Sequence, residues 1–185
     1  SCAARKLFSA YALATALTFP LAVGATALLM AERPTPAAVF KRLTEHAPTI
    51  FYGVPTLYAA MLASADFPAR ESLALTRCVS AGEALPAELR DQVARYLPQV
   101  QLENLYGPTE ASIDVTRWAC GGDLSHDVPI VRPTWNPRRY GLDAGLDPAP
   151  SGVWVVLYIA VVALARCGLQ RARAAGVRVG WGPVW

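Results

Sequence analysis

Three side chains that could bind a nucleotide lie close together near the middle of the chain. Tyr106, Thr109 and Glu110 surround a Gly-Pro pair within residues 104–110. A tyrosine ring can stack on a purine, a threonine hydroxyl can donate a hydrogen bond to a phosphate oxygen, and a glutamate carboxylate can bind Mg²⁺. A Gly-Pro turn at the end of a strand would place these groups in the crevice where open α/β sheets bind ligands. The spacing therefore indicates an ATP site, and a plain surface turn is the alternative.

The elements that would position this turn alternate between helix and strand. Hydrophobic periodicity and helix-starting prolines define these elements up to residue 106. Helices are predicted at residues 7–21, 35–47, 55–64 and 86–97, and strands at residues 25–30, 49–52, 73–79 and 101–106. Alternation at these lengths is typical of right-handed βαβ crossovers. We therefore expect an α/β fold with a mainly parallel, helix-covered sheet.

Burial within this sheet can also be predicted from the pattern. The first helix is expected to be buried, and the apolar strand at residues 25–30 is expected to be covered on both faces. Thr35 is a good N-cap before Pro36, and the helix that follows has one apolar stripe. The residues of that stripe are Val39, Phe40, Leu43 and Ala47.

The character of the chain changes after residue 118. Short extended runs separated by Gly and Pro, at residues 128–131, 138–142 and 153–162, predict a small β-rich subdomain. The expected organisation is a partial α/β subdomain at residues 1–118, a partial β-rich subdomain at 119–170 and an unassigned basic tail at 171–185. A basic interaction segment is the alternative for the tail.

Composition excludes several classes of protein. The chain has 185 residues, of which 54% are hydrophobic and 17% charged, so disorder is excluded. The net charge of +3 is small and the sequence has no basic patch, so a nucleic-acid-binding surface is not indicated. The 4 cysteines are far apart and form no CxxC pair, so neither a zinc site nor a disulfide framework is indicated. Reduced thiols and a cytoplasmic location are the expectation.

A membrane-associated protein is a second hypothesis. Residues 7–30 contain no charged side chain and are long enough to span a bilayer. Pro20 and Gly24 divide this stretch into a helix-sized piece and a strand-sized piece, which favours a core helix and strand. The second apolar stretch, residues 153–165, is too short to cross a membrane.

Two motifs together point to a known family. Residues 81–86 (Ala-Gly-Glu-Ala-Leu-Pro) and residues 104–110 (Asn-Leu-Tyr-Gly-Pro-Thr-Glu) resemble the adenylate-forming, or AMP-binding, superfamily. From about residue 85 to 166 the chain looks like an adenylation domain of a nonribosomal peptide synthetase. Residues 6–85, which include Phe-Tyr-Gly-Val-Pro-Thr-Leu-Tyr at 51–58, look like a benzoate-type aryl-CoA ligase. A recombination near residues 80–86 would explain the change of branch. The alternatives are one intermediate family member and a chimeric sequence without selected function.

The resemblance implies an activity. Enzymes of this superfamily activate a carboxylic acid, here an amino acid or an aryl acid, with ATP to an acyl-adenylate. They then transfer the acyl group to a thiol, which is CoA or the phosphopantetheine of a carrier protein. The implied cofactors are ATP/AMP and Mg²⁺. The chain would be a fragment of the large N-terminal domain of such an enzyme.

The resemblance also assigns roles to residues. Thr109 and Glu110 would be catalytic, with Thr109 on the α-phosphate and Glu110 as the Mg²⁺ ligand. The residues expected to bind the nucleotide are Gly82, Glu83, Ala84, Asn104, Tyr106, Gly107 and Thr109. The residues expected to line the acid pocket are Tyr52, Gly53, Val79, Ala81, Leu105, Ile113 and Asp114. Core packing is the alternative for Val79, Ala81 and Ile113, and a solvated turn is the alternative for Asp114.

The sequence departs from the family pattern in ways that bear on activity. It contains no Gly/Ser/Thr-rich phosphate loop with a following Lys, and no ribose-binding Tyr-x-Thr-Gly-Asp segment. Val155 and Val156 stand where the family has Gly-Glu. A small C-terminal domain with a catalytic Lys is missing too. We therefore expect the chain to be inactive alone.

Overall fold

The computed structural model describes residues 1–107, 116–121, 128, 132–133, 137–142 and 156–161. Seven strands form one sheet: β1 (Cys2–Ala3), β2 (Leu28–Leu29), β3 (Ile50–Gly53), β4 (Arg77–Ala81), β5 (Gln101–Tyr106), β6 (Thr116–Ala119) and β7 (Arg132–Pro133). Their order is β2-β1-β3-β4-β5-β6-β7. The strands β1 to β5 pair in parallel, whereas β6 and β7 pair antiparallel. The expected mainly parallel sheet is confirmed.

Helices cover both faces of this sheet. They are α1 (Ala10–Leu13), a π-helical turn (Ala14–Thr18), α2 (Phe19–Ala22), α3 (Pro36–His46), α4 (Pro55–Leu62) and α5 (Ala87–Tyr96). The connection from β1 to β2 runs towards one edge of the sheet. The connections from β2 to β3, β4 and β5 run towards the other edge. Because parallel crossovers are right-handed, this reversal puts α1 and α2 on one face and α3, α4 and α5 on the other.

Three helices begin where the sequence predicts. The Thr35 hydroxyl accepts a hydrogen bond from the Ala38 amide at 3.3 Å and caps α3. Pro55 is the first residue of α4, and Pro86 is the N-cap of α5. The buried core lies between these helices and the sheet, and it includes Cys2, Val39, Phe40, Leu43, Phe51, Tyr58, Cys78, Leu89, Val93 and Leu102.

The expectations on burial were wrong at three places. In the first helical segment, small residues such as Ala12 and Ala16 are buried, while Leu13 and Leu21 are 45% and 68% exposed. The strand β2 is the edge of the sheet, and its Leu29 is 48% exposed, so it is not covered on both faces. Ala47 does not extend the buried stripe of α3, because the helix ends there at a left-handed φ of 45°.

The membrane hypothesis finds no support in the described residues. In that part of the chain, none of the helices is both long enough and apolar enough to cross a bilayer. Residues 7–30 are divided into α1, the π-helical turn, α2 and β2, as the positions of proline and glycine predict.

Two further strands form a separate sheet. Strands β8 (Pro137–Leu142) and β9 (Val156–Val161) pair antiparallel. Strands β6 and β7 belong to the main sheet instead. The division of the chain at residue 118 and a β-rich subdomain around β8 and β9 stay predictions.

Candidate functional site

The two faces of the sheet separate the predicted nucleotide residues from most of the predicted acid pocket. Asn104 and Tyr106 alternate with Leu105 along β5, so they lie on the face of α3 to α5. In register with them, Ser80 pairs with Asn104 and Thr116 pairs with Tyr106. The opposite face, towards α1, carries four predicted pocket residues: Tyr52, Val79, Ala81 and Leu105.

Asn104 carries an acceptor that lacks a partner. The residue is 6% exposed, and its Oδ1 accepts no hydrogen bond from the described part of the chain. The neighbouring hydroxyls of Ser80 and Thr116 are also buried and make no hydrogen bond there. A buried carbonyl without a donor costs about 1–3 kcal/mol. A ligand with an amine, such as the exocyclic amine of adenine, would remove that penalty.

Tyr106 ends β5 next to this acceptor. Its side chain is half-buried, and this burial raises the pKa of the phenol, so the ring is neutral at physiological pH. Gly107 follows and is also half-buried. A neutral, partly open aromatic ring at the carboxyl end of a strand can stack on a purine.

The loop of Gly82, Glu83 and Ala84 lies at the carboxyl end of the adjacent strand β4. Gly82 has a φ of +85°, a conformation that favours glycine, and all three residues are exposed. The Glu83 carboxylate accepts two hydrogen bonds from Thr56, one from the backbone amide and one from the hydroxyl, each at 3.1 Å. Glu83 therefore caps the first turn of α4, a function that the sequence did not reveal.

Helix α1 places one further aromatic residue, Tyr11, beside the predicted acid-pocket residues. The ring of Tyr11, on α1, meets the ring of Tyr52 edge-on at 6.4 Å. Its hydroxyl donates to the Val79 carbonyl at 3.5 Å. These contacts depend on the packing of α1 on the sheet. An aromatic residue in an apolar helix does not by itself indicate a binding site. Ala81 is buried and Leu105 is half-buried beside them on this face.

Gly53 does not lie with the other pocket residues. A Cβ built at this position would be 3.0 Å from Tyr58 Cε2 and 3.1 Å from Phe51 Cε1. These rings belong to the core under α3 to α5. The close packing accounts for glycine here, and a role in the acid pocket stays a prediction.

A buried carboxylate also ties together the strands of the site. Glu103 is 4% exposed, and its two oxygens lie 3.2 Å from Arg77 Nη1 and 3.1 Å from Arg117 Nε. The three residues lie on β5, β4 and β6, so they join the strands on which the site is built. No local sequence pattern indicates this cluster, because it depends on the pairing of distant segments.

Four predicted residues fall outside the described residues: Thr109, Glu110, Ile113 and Asp114. Their roles stay predictions. Within the described ranges, His, Cys, Asp and Glu form no cluster that could hold a metal ion.

The fold and the site define a class of protein. Doubly wound sheets bind ligands, dinucleotides among them, at the carboxyl ends of their strands. The chain belongs to the family of AMP-binding enzymes, whose pattern it matches over residues 2–167.

Individual relatives fall into the two expected branches. The benzoate–CoA ligase of Thauera aromatica is 67% identical over 86 residues, which cover 46% of this chain and 16% of that protein. The phosphinothricin tripeptide synthetase PhsB of Streptomyces viridochromogenes is 44% identical over 151 residues, which cover 79% of this chain and 12% of that protein. The stronger identity thus extends over less than half of the chain.

A solved structure supports the fold. The benzoate CoA ligase of Burkholderia xenovorans LB400 superposes with a TM-score of 0.79 and 44% identity, covering 85% of this chain and 32% of that one. The chain therefore spans less than a fifth of the length of the two relatives and a third of the solved ligase.

Proposed function

We propose that this chain forms the adenine-binding and acid-binding part of an enzyme that activates a carboxylic acid with ATP. The product would be an acyl-adenylate, and the acyl group would pass to CoA or to the phosphopantetheine of a carrier protein. The observation that carries the proposal is the buried Asn104 Oδ1 beside Tyr106, an acceptor without a donor in the described chain.

The residues present fit an adenine nucleotide. Asn104 would accept from the adenine amine, and Tyr106 would stack on the base, while Gly82 itself adds no side chain to the neighbouring loop. Bound ATP would supply the α-phosphorus that the carboxylate attacks, with pyrophosphate as the leaving group. The chain's own contribution is to bind and orient the base. Glu110 would hold Mg²⁺ and Thr109 would bind the α-phosphate.

The described half of the acid pocket favours an aryl acid. Tyr11 and Tyr52 present aromatic edges, and Val79 and Ala81 are apolar and buried. An aromatic ring packs well against such a wall. The benzoate–CoA ligases among the relatives act on benzoate by their names, which agrees with this choice. An amino acid is the second candidate, because Asp114 could bind an ammonium group.

The test is calorimetric titration of the purified chain with AMP. Tyr106→Leu should weaken binding about tenfold, since stacking on a base contributes about 1–3 kcal/mol. Tyr96→Leu is the matched control, because Tyr96 is 54% exposed on α5, away from the site. Asn104→Leu should weaken AMP binding without lowering the free energy of unfolding, because it removes a buried acceptor that accepts no hydrogen bond from the described residues. Equal AMP affinity in the Tyr106→Leu and Tyr96→Leu variants would refute the proposal.

A further inference from the structure

A basic cleft lies at the carboxyl ends of β1 and β3. Its volume is about 350 Å³, within the lower range of small-molecule sites. Residues from three loops line it: Ala4 and Arg5 after β1, Arg33 to Pro36 before α3, and Val54 with Thr56 and Leu57 at the start of α4. None of the residues predicted for the nucleotide or the acid is among them.

The position of the cleft is the one at which doubly wound sheets bind ligands. In the strand order β2-β1-β3, the strand that follows β1 in sequence lies on one side of β1 and the next lies on the other side. The order in which strands are added to the sheet therefore reverses between β1 and β3. The loops after these two strands leave on opposite faces of the sheet, and a crevice opens between them. Ala4 and Val54, the residues that follow β1 and β3, both line this cleft.

The charge of the cleft is positive. Arg5 and Arg33 are exposed, and neither forms an ion pair with a described residue. Of the nearby carboxylates, Glu32 forms an ion pair with Arg42 at 2.9 Å, whereas Glu83 accepts only from neutral groups of Thr56 and keeps its charge, so the two arginines outnumber it. Thr35 and Pro36, at the amino-terminal end of the eleven-residue helix α3, also line the cleft, and the helix dipole adds positive potential there.

The cleft adjoins the predicted nucleotide loop. A Cβ built at Gly82 would lie 3.5 Å from Arg5 Nη2. A guanidinium in this position can reach a phosphate at the edge of the adenine site. From the switch-point position and from the two arginines, neither of which forms an ion pair with a described residue, we propose that this cleft binds a phosphate group of a substrate.

Two sources of that phosphate fit the chemistry. One is the polyphosphate of the nucleotide, whose base would lie at Tyr106. The other is the phosphate of a phosphopantetheine-bearing thiol. A phosphate probe without a base tests this cleft separately from the adenine site.

The test begins with inorganic pyrophosphate as the probe and the full chain. Saturable binding is expected by calorimetry, with amide NMR shifts at Ala4, Arg5, Arg33 and Thr35. Arg33→Gln and Arg5→Gln should each weaken binding about tenfold, because each removes a charge-assisted hydrogen bond. Arg70→Gln is the matched control: it removes the same charge from an exposed pair with Glu71, before β4, and should leave binding unchanged.

Comparing the affinities of two pairs of ligands identifies the source of the phosphate. ATP should bind more tightly than AMP, with the gain lost in Arg33→Gln, if the nucleotide supplies the phosphate. Phosphopantetheine should bind more tightly than pantetheine, with the same loss, if the thiol supplies it. Either gain supports the site. The proposal is overturned if pyrophosphate binding does not saturate, if Arg70→Gln weakens it as much as Arg33→Gln, or if neither gain is seen.

Discussion

Replacing Glu83, in the loop between β4 and α5, tests whether its carboxylate stabilises the first turn of α4. In α4, Val54 offers no side-chain cap and Pro55 has no amide hydrogen, so the Thr56 amide depends on the Glu83 carboxylate. Glu83→Ala removes this bond and the bond from the Thr56 hydroxyl, each 3.1 Å long. Helix caps contribute about 0.5–2 kcal/mol. Because both groups are exposed and water can replace the carboxylate, we expect a loss of about 1 kcal/mol.

This loss is measurable by thermal or urea denaturation followed by circular dichroism. For a chain of this length about 1 kcal/mol corresponds to roughly 2–4 °C in Tm. Glu45→Ala is the matched control, since Glu45 is half exposed and makes only a 3.9 Å pair with Lys41. That change should cost less than about 0.5 kcal/mol. Glu83→Gln, which keeps one acceptor, should fall between the two. If Glu83→Ala is no less stable than Glu45→Ala, the assignment of Glu83 as the cap of α4 is wrong.

Three other predictions concern activity, packing and pH. The purified chain should not catalyse acid-dependent ATP–pyrophosphate exchange with amino or aryl acids, because its sequence has no phosphate loop; exchange above a blank that is lost in Glu110→Ala would contradict this. Gly53→Ala should cost about 1–3 kcal/mol in urea unfolding, because its Cβ would press on the Tyr58 and Phe51 rings, whereas Gly121→Ala, which meets nothing within 4 Å, should not. Burial raises the pKa of the Cys78 thiol from 9.0 to about 12. Between pH 8 and 10 the thiol therefore ionises only in the unfolded chain, so the free energy of unfolding should fall by about 1.4 kcal/mol through this group. The Cys78→Ala variant should lack that part of the pH dependence, and an unchanged dependence would argue against the burial of the thiol.

Much of the fold could be predicted because its signals are local. The strand at residues 101–106 and the helix starts at Pro36 and Pro55 were predicted correctly, since periodicity and proline position are properties of neighbouring residues. Strand β1 was missed because Cys2 and Ala3 form a strand only by pairing with β2 and β3. The exposed Leu29 follows from its place at the sheet edge, which strand order decides and local sequence does not.

The candidate site was predictable to a similar extent. The resemblance pointed to Asn104, Tyr106 and Gly82, and the structure brings them together at the ends of two adjacent strands. Tyr11 was missed because its contact with Tyr52 depends on the packing of α1 on the sheet. The capping role of Glu83 depends on a bond across 27 residues of sequence, which no local pattern encodes.

Amide NMR of the chain titrated with AMP tests the central claim most directly. We expect saturable shifts centred on Gly82 to Ala84 and on residues 104–107, which disappear in Tyr106→Leu and persist in Tyr96→Leu. Saturable shifts confined to other parts of the sheet, or no shifts at all from a folded chain, would contradict the assignment of an adenine site to the carboxyl ends of β4 and β5.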